Sequence, residues 1–205
     1  MESWTALFDR AASFERTADD AREALDARRE GDDDESADAG RTADVPDPED
    51  VERSPARVVA DADVLAADLF GDDDSREALD ALRRHSWTTL VASDPLLDDA
   101  QAVVESLGDE SLAADWRERV EQGREPVSHP ADDHPALGSA YRGGAMHVLS
   151  FDDRLLSSKA GATLGGQFPV SVHHPRAFAT LFDAESLHEE VVGGDYPGPD
   201  RDPRE

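Results

Sequence analysis

Two short apolar runs in this sequence end in acid. Arg57-Val-Val-Ala-Asp61 closes on a carboxylate with Asp63 two residues further on, and Met146-His-Val-Leu-Ser150 leads into Asp152 and Asp153. Runs of this length and make-up read as buried strands. In open α/β sheets, ligands bind beyond the carboxyl ends of strands, where strand order reverses. If these two strands are sheet neighbours, Asp61 and Asp152 converge there. Carboxylates gathered in a crevice call for a cation or for raised pKa values. Mg²⁺ and Mn²⁺, hard cations that prefer oxygen ligands, are the natural partners. Such ions activate water and stabilise in-line displacement at phosphorus. Ser150 stands where its hydroxyl can support a carboxylate or a bound water.

Acids are common in this chain, 48 Asp plus Glu in 205 residues, so only placement gives one of them meaning. Helical phase supplies placement over 94–107. Leu96, Leu97, Ala100, Val103, Val104 and Leu107 form a buried stripe. At about 100° per residue, Asp99 lies beside that stripe and Asp98 nearly opposite it, toward solvent. Asp132 and Asp133 both open a further helix, where the free N–H groups and the dipole favour acids in any case.

The elements that must carry these residues alternate. Strands are expected near 57–61, 88–92, 146–150 and 169–173. Helices are expected near 75–84, 94–107, 109–122, 133–143 and from Pro175 to Phe182. That alternation implies an α/β fold, a mostly parallel sheet with helices on both faces. Residues 1–30 read as an amphipathic helix, with Trp4, Leu7, Phe8, Ala11, Ala18 and Leu25 near helical spacing. Residues 31–55 are acidic and rich in Asp and Pro, which predicts a disordered linker. The domain itself is expected over 56–183, followed by a largely disordered tail over 184–205.

In their order, these pieces resemble the PIN-domain family of metal-dependent nucleases. Val58-Val-Ala-Asp61-Ala-Asp63-Val-Leu65 is similar to the family's opening strand and turn. Ser93-Asp-Pro-Leu-Leu-Asp-Asp99 is similar to its strand-exit serine and helix acid. The stretch from Asp133-His-Pro-Ala through Gly143-Gly-Ala145 to Ser150-Phe-Asp152 resembles its acid-opened helix, turn, strand and Ser/Thr-x-Asp exit. Val172-His-His-Pro175-Arg-Ala-Phe178 resembles the closing strand and helix. The resemblance spans about 125 residues. It implies a Rossmann-like three-layer fold and a ribonuclease whose Asp61, Asp99, Asp133 and Asp152 hold Mg²⁺ or Mn²⁺ and do the catalysis, with Asp63, Asp132 and Ser150 in support. The sequence departs from the pattern in two places: the helix acid is usually glutamate, and residue 63 is often Asn, Ser or Thr. Those departures, with the long N-terminal extension, leave a second reading, a non-catalytic module of the same fold that binds a protein or RNA partner.

Composition bounds the rest. The formal net charge is −28, and Lys159 is the only lysine among 20 basic residues, a composition similar to that of proteins from salt-loving archaea. At about 1 M salt the Debye length is roughly 3 Å, so such a charge does not exclude RNA as substrate. The chain has no cysteine, which excludes disulfides and thiolate zinc sites and fits a cytoplasmic protein. No run of eighteen apolar residues suggests a membrane span, and MESWTALFDR has neither the basic nor the apolar region of a signal peptide. The histidines show no metal-binding spacing and read as structural. Gly161–Gly166 lacks the ending of a phosphate loop. Trp4 and Phe8 are expected to pack on the body, with association to a second copy or a protein partner through the N-terminal helix as the other possibility.

Overall fold

The computed structural model describes residues 2–33, 51–131, 133–157 and 170–205; Asp132, Lys159, the Gly161–Gly166 loop and most of the acidic linker lie outside them. The order is α1 (Trp4–Ala12), α2 (Ala18–Asp33), β1 (Ser54–Ala60), α3 (Ala62–Phe70), α4 (Asp73–Arg83), β2 (Thr89–Ser93), α5 (Asp94–Leu107) and α6 (Glu110–Gly123). Then follow β3 (Arg124–Val127), α7 (Pro135–Gly143), β4 (Ala145–Leu149), α8 (Asp153–Leu156), β5 (Ser171–His173), α9 (Pro175–Leu181) and α10 (Ala184–Val191). The strands form one five-stranded sheet, β3-β2-β1-β4-β5, in which every pair is parallel. Helices flank this sheet in a Rossmann-like, three-layer α/β arrangement. Strand order reverses between β1 and β4, whose ends carry Asp61 and Asp152.

Central parallel strands are covered on both faces, so they bury consecutive rather than alternate residues. Val58, Val59 and Ala60 at the end of β1 do this, as do Val148 and Leu149 at the end of β4. Every residue of α3 is buried, Asp63 and Asp68 included, which marks a helix surrounded by protein. In α5 the expected stripe is inside; Asp99 goes in with it, while Asp98 faces out and pairs with Arg117 at 2.7 Å. The Gly143-Gly144 pair aims β4. A Cβ on Gly143 would lie 2.2 Å from Val91 Cγ1, and Gly144 turns the chain with a φ of +65°. Only glycine permits both the close approach and the turn.

The N-terminal region differs from the single helix its periodicity suggests. It breaks at Ser13–Thr17 into α1 and α2, with Glu15 at a φ of +52°. Thr17 and Asp20 then restart the helix with reciprocal bonds, Thr17 N–H to Asp20 Oδ2 at 2.8 Å and Asp20 N–H to Thr17 Oγ1 at 3.3 Å. Trp4, Leu7, Phe8 and Ala11 of α1 are buried in the chain's own core.

The C-terminal stretch, expected to be largely disordered, is instead bound to the body. α10 spans Ala184–Val191, and beyond it the Tyr196 hydroxyl meets His85 Nε2 at 2.6 Å. Asp200 accepts from Ser86 N–H at 2.8 Å, and the Arg204 guanidinium reaches Asp80. Polar composition led to the expectation of disorder; directed polar contacts rather than apolar burial hold this segment. Among the described residues, no helix is long and apolar enough to cross a membrane.

Candidate functional site

β1 ends with its last peptide tied into β4: Asp61 N–H donates to Leu149 O at 2.8 Å. Asp61 is fully buried and is the N-cap of α3, its Oδ1 accepting from Ala62 N–H at 2.9 Å. Its other oxygen, Oδ2, accepts from the Ser150 hydroxyl at 3.1 Å. The Ser150 hydroxyl in turn accepts from Asp152 N–H at 3.0 Å, so one serine joins the exits of the two central strands. Asp152 is the N-cap of α8 and accepts from Arg154 N–H at 2.8 Å. Burial alone would raise the Asp152 pKa, but the hydrogen bonds and charge of Arg154 bring it below the ordinary value.

Asp63 lies one residue into α3, 2% exposed, accepting from Val64 N–H at 2.7 Å. Its pKa is pushed well above the usual carboxylate value, first by burial and then by the charge of Asp61. Asp99 enters from α5. Ser93 caps that helix and belongs to a polar chain with Ser139 and His129, at 3.0 and 2.9 Å.

The groups that neutralise this crevice come from α2. Arg29 Nη2 donates to Asp61 Oδ1 at 2.9 Å, and Arg29 Nε stands 3.7 Å from Asp99 Oδ2. Arg28 Nε donates to Asp99 Oδ1 at 2.9 Å. Burial works against the charge of Arg29, but Asp61, Asp99 and Asp63 outweigh it and raise its pKa above the ordinary value. Arg29 Nη1 also meets His134 Nε2 at 3.2 Å. Burial lowers the His134 pKa, against the pull of Asp61.

Arg29 thus bridges Asp61 and Asp99, Ser150 ties Asp152 to Asp61, and Asp63 is buried just beyond Asp61 along the chain. Asp133 is not among them. Its side chain is exposed, and the helix it was expected to open begins after His134, with Pro135 in its first turn. His134, read from sequence as structural, instead faces the acids. Arg28 and Arg29 were also missed. The one signal for them was their place on α2, and nothing in the spacing of a charged helix face says which surface it meets.

Oxygen donors from Asp61, Asp99, Asp152 and Ser150 suit Mg²⁺ or Mn²⁺ in chemistry. In the geometry described, guanidinium groups hold these carboxylates, and among the described residues no group of three or more acids or histidines is arranged around a point that could take a metal. A separate cavity of about 520 Å³ lies beside the start of β2, lined by Trp4, Leu65, Trp116 and the C-terminal residues, away from the acids.

The model of a family described as a family of unknown function (DUF7384) matches residues 52–204. The chain belongs to that family. No curated protein and no solved structure matches the chain. The matched region contains Asp61, Asp63, Asp99, Ser150 and Asp152 but neither α1 nor α2, so Arg28 and Arg29 reach the acids from outside it.

Proposed function

We propose that this chain is a PIN-like, metal-dependent ribonuclease whose acidic crevice lies between the ends of β1 and β4. The observation that carries the reading is the convergence of Asp61, Asp99 and Asp152, from three different elements, at the reversal of strand order. That is where open α/β sheets bind ligands. Asp61, Asp99 and Asp152 would hold Mg²⁺ or Mn²⁺, and Ser150 would orient Asp61 through its hydrogen bond. When bound, the ion supplies charge stabilisation for an in-line displacement at phosphorus. His134, whose pKa is lowered by burial, lies against Arg29 beside these acids. Asp133, exposed on its loop, has no part in this assignment.

A specific observation favours a second reading. Arg28 and Arg29 already neutralise Asp99 and Asp61, as they would in a non-catalytic module that keeps the fold and binds a protein or RNA partner. Cleavage of single-stranded RNA in molar KCl with Mn²⁺ separates the two. The ribonuclease reading expects metal-dependent products, with Asp61→Asn plus Asp152→Asn lowering the rate at least about 100-fold, in the range found when a transition-state stabilising group is lost. Retention of RNA without cleavage would support the second reading, and cleavage indifferent to both substitutions would remove these acids from the chemistry.

A further inference from the structure

The acids stand where β1 and β4 end. The cavity of about 520 Å³ stands at the opposite end of the parallel sheet, where β2 and β3 begin. Its volume falls within the roughly 300–1,000 Å³ of small-molecule sites. The lining combines two chemistries. Leu65, Leu79, Trp116 and Val120 give it an apolar wall, each at most 2% exposed. Arg83 and Arg119 also line it, their guanidinium carbons 3.9 and 5.7 Å from the ring centre of Trp4, another lining residue. Gly123, the last residue of α6, borders open space there, since a Cβ on it would meet nothing within 4 Å.

The two lining arginines differ in what supports their charge. Arg83 donates to Asp68 and Asp80, which outweigh burial and raise its pKa. Arg119 donates to the backbone carbonyl of Glu205, a neutral group. Burial, and then the charge of Arg83, lower the Arg119 pKa, with the charge of Glu205 opposing them. The other acids of the lining are turned to bonds of their own. Asp200 accepts from both the N–H and the hydroxyl of Ser86, and Asp202 from Arg204 N–H at 2.9 Å. The rings of Trp4 and Phe8 show the same imbalance: Arg76, Arg83, Arg119 and Arg204 stand over them, against the buried carboxylates of Asp68 and Asp80. In a chain of net charge −28, this is a local reversal of sign beside an apolar wall.

We infer that the cavity binds a small organic acid as its anion, the anionic group on Arg119 and an apolar body against Trp116 and the leucines. The anion offsets the repulsion between Arg83 and Arg119, and the body leaves water for an apolar wall. An inorganic anion gains only the first effect and an uncharged molecule only the second. The site is separate from the acids at the ends of β1 and β4 and does not depend on their role.

Anilinonaphthalene sulfonate is the probe, an aromatic anion whose fluorescence rises in apolar surroundings. Phenylnaphthylamine, the same rings without the sulfonate, is its uncharged counterpart. Both are titrated into the full chain in molar KCl, beside variants checked for folding by circular dichroism. The parent should bind one sulfonate probe per chain. Arg119→Gln should weaken it about tenfold or more, the scale of one hydrogen bond to a charged group, and leave the uncharged probe unchanged. Arg119→Lys, which keeps the charge, should recover most of that loss. Gly123→Leu, which projects a side chain into the cavity, should weaken both probes. In the parent, benzoate should displace the sulfonate probe and benzyl alcohol at the same concentration should not, a comparison that stands even if the arginine variants do not fold. Equal weakening of both probes by Arg119→Gln, or equal displacement by benzoate and benzyl alcohol, would overturn the anion assignment. Sulfonate binding indifferent to Gly123→Leu, or no saturable binding by the parent, would overturn the site.

Discussion

Among the described residues, two buried arginine–aspartate clusters help to hold the N-terminal helices. In the first, Arg76, Arg83 and Arg204 meet Asp68 and Asp80 where α1, α3, α4 and the C-terminal segment come together. Trp4 and Phe8 stack over the guanidinium groups. In the second, Arg28 and Arg29 meet Asp61 and Asp99, with Asp63 buried behind them. The first cluster sets three cations against two carboxylates; the second sets two against three. The two buried acids are pushed accordingly. Asp80 is raised by burial, but the next influences, Arg83 and Arg204, oppose the rise. Asp63 is raised by burial, and the next influence, Asp61, adds to it. The same pairing chemistry therefore closes one cluster as structure and leaves the other short of positive charge, at the strand ends where open α/β sheets in general bind ligands.

If this contrast is right, equivalent substitutions must have unequal effects. Arg83→Ala takes from Asp68, which is 1% exposed, its closest cation, while Arg204 stays on Asp80. Breaking such a buried pair costs about 3–5 kcal/mol, read as the shift in urea denaturation, and Mn²⁺ should not restore it. Arg29→Gln keeps a side-chain donor toward the buried Asp61, and Arg28 still faces Asp99, so the expected loss is smaller, about 1.5–3 kcal/mol, the scale of one charged hydrogen bond. In that variant Mn²⁺ should raise the melting temperature, because an ion that binds only the folded form stabilises it. Comparable losses in both variants, neither responsive to Mn²⁺, would erase the distinction between the clusters.

A third polar pair serves as the control. His147 Nδ1 on β4 lies 3.2 Å from His173 Nε2 on β5, with Phe178 packed on both rings. Burial, and then the neighbouring His173, lowers the His147 pKa to about 4 from an ordinary 6.5. Between those values the unfolded chain binds a proton there and the folded chain does not. Stability should therefore be fully present above about pH 6.5 and decline as pH falls toward 4. Denaturation midpoints across this window should lose part of their slope in His147→Phe, and Mn²⁺ should leave the slope unchanged.

How much of this was legible in the sequence depended on whether a signal was local. The exits of β1 and β4, and the choice of Asp99 over Asp98, follow from strand pattern and helical phase, and the structure places all three acids accordingly. α3 was missed because burial on every side leaves no polar stripe to read. β3 was missed because Arg124-Glu-Pro-Val127 is a short edge strand carrying charge and proline. The tail after Asp183 looked unfoldable because its ties are polar and long-range, such as Tyr196 to His85 and Arg204 to Asp80. Arg28 and Arg29 were invisible for a related reason. Their partners lie 71 and 32 residues away in sequence, beyond the acidic linker, and a charged helix face carries no address.

The most direct measurement is an anomalous difference map from crystals of the Arg28→Gln, Arg29→Gln chain soaked in Mn²⁺. A peak held by Asp61 together with Asp99 or Asp152, between the ends of β1 and β4, is the expected result. A crevice without Mn²⁺ in that variant, its carboxylates turned to other protein groups, would contradict the reading of this crevice as a divalent-cation site.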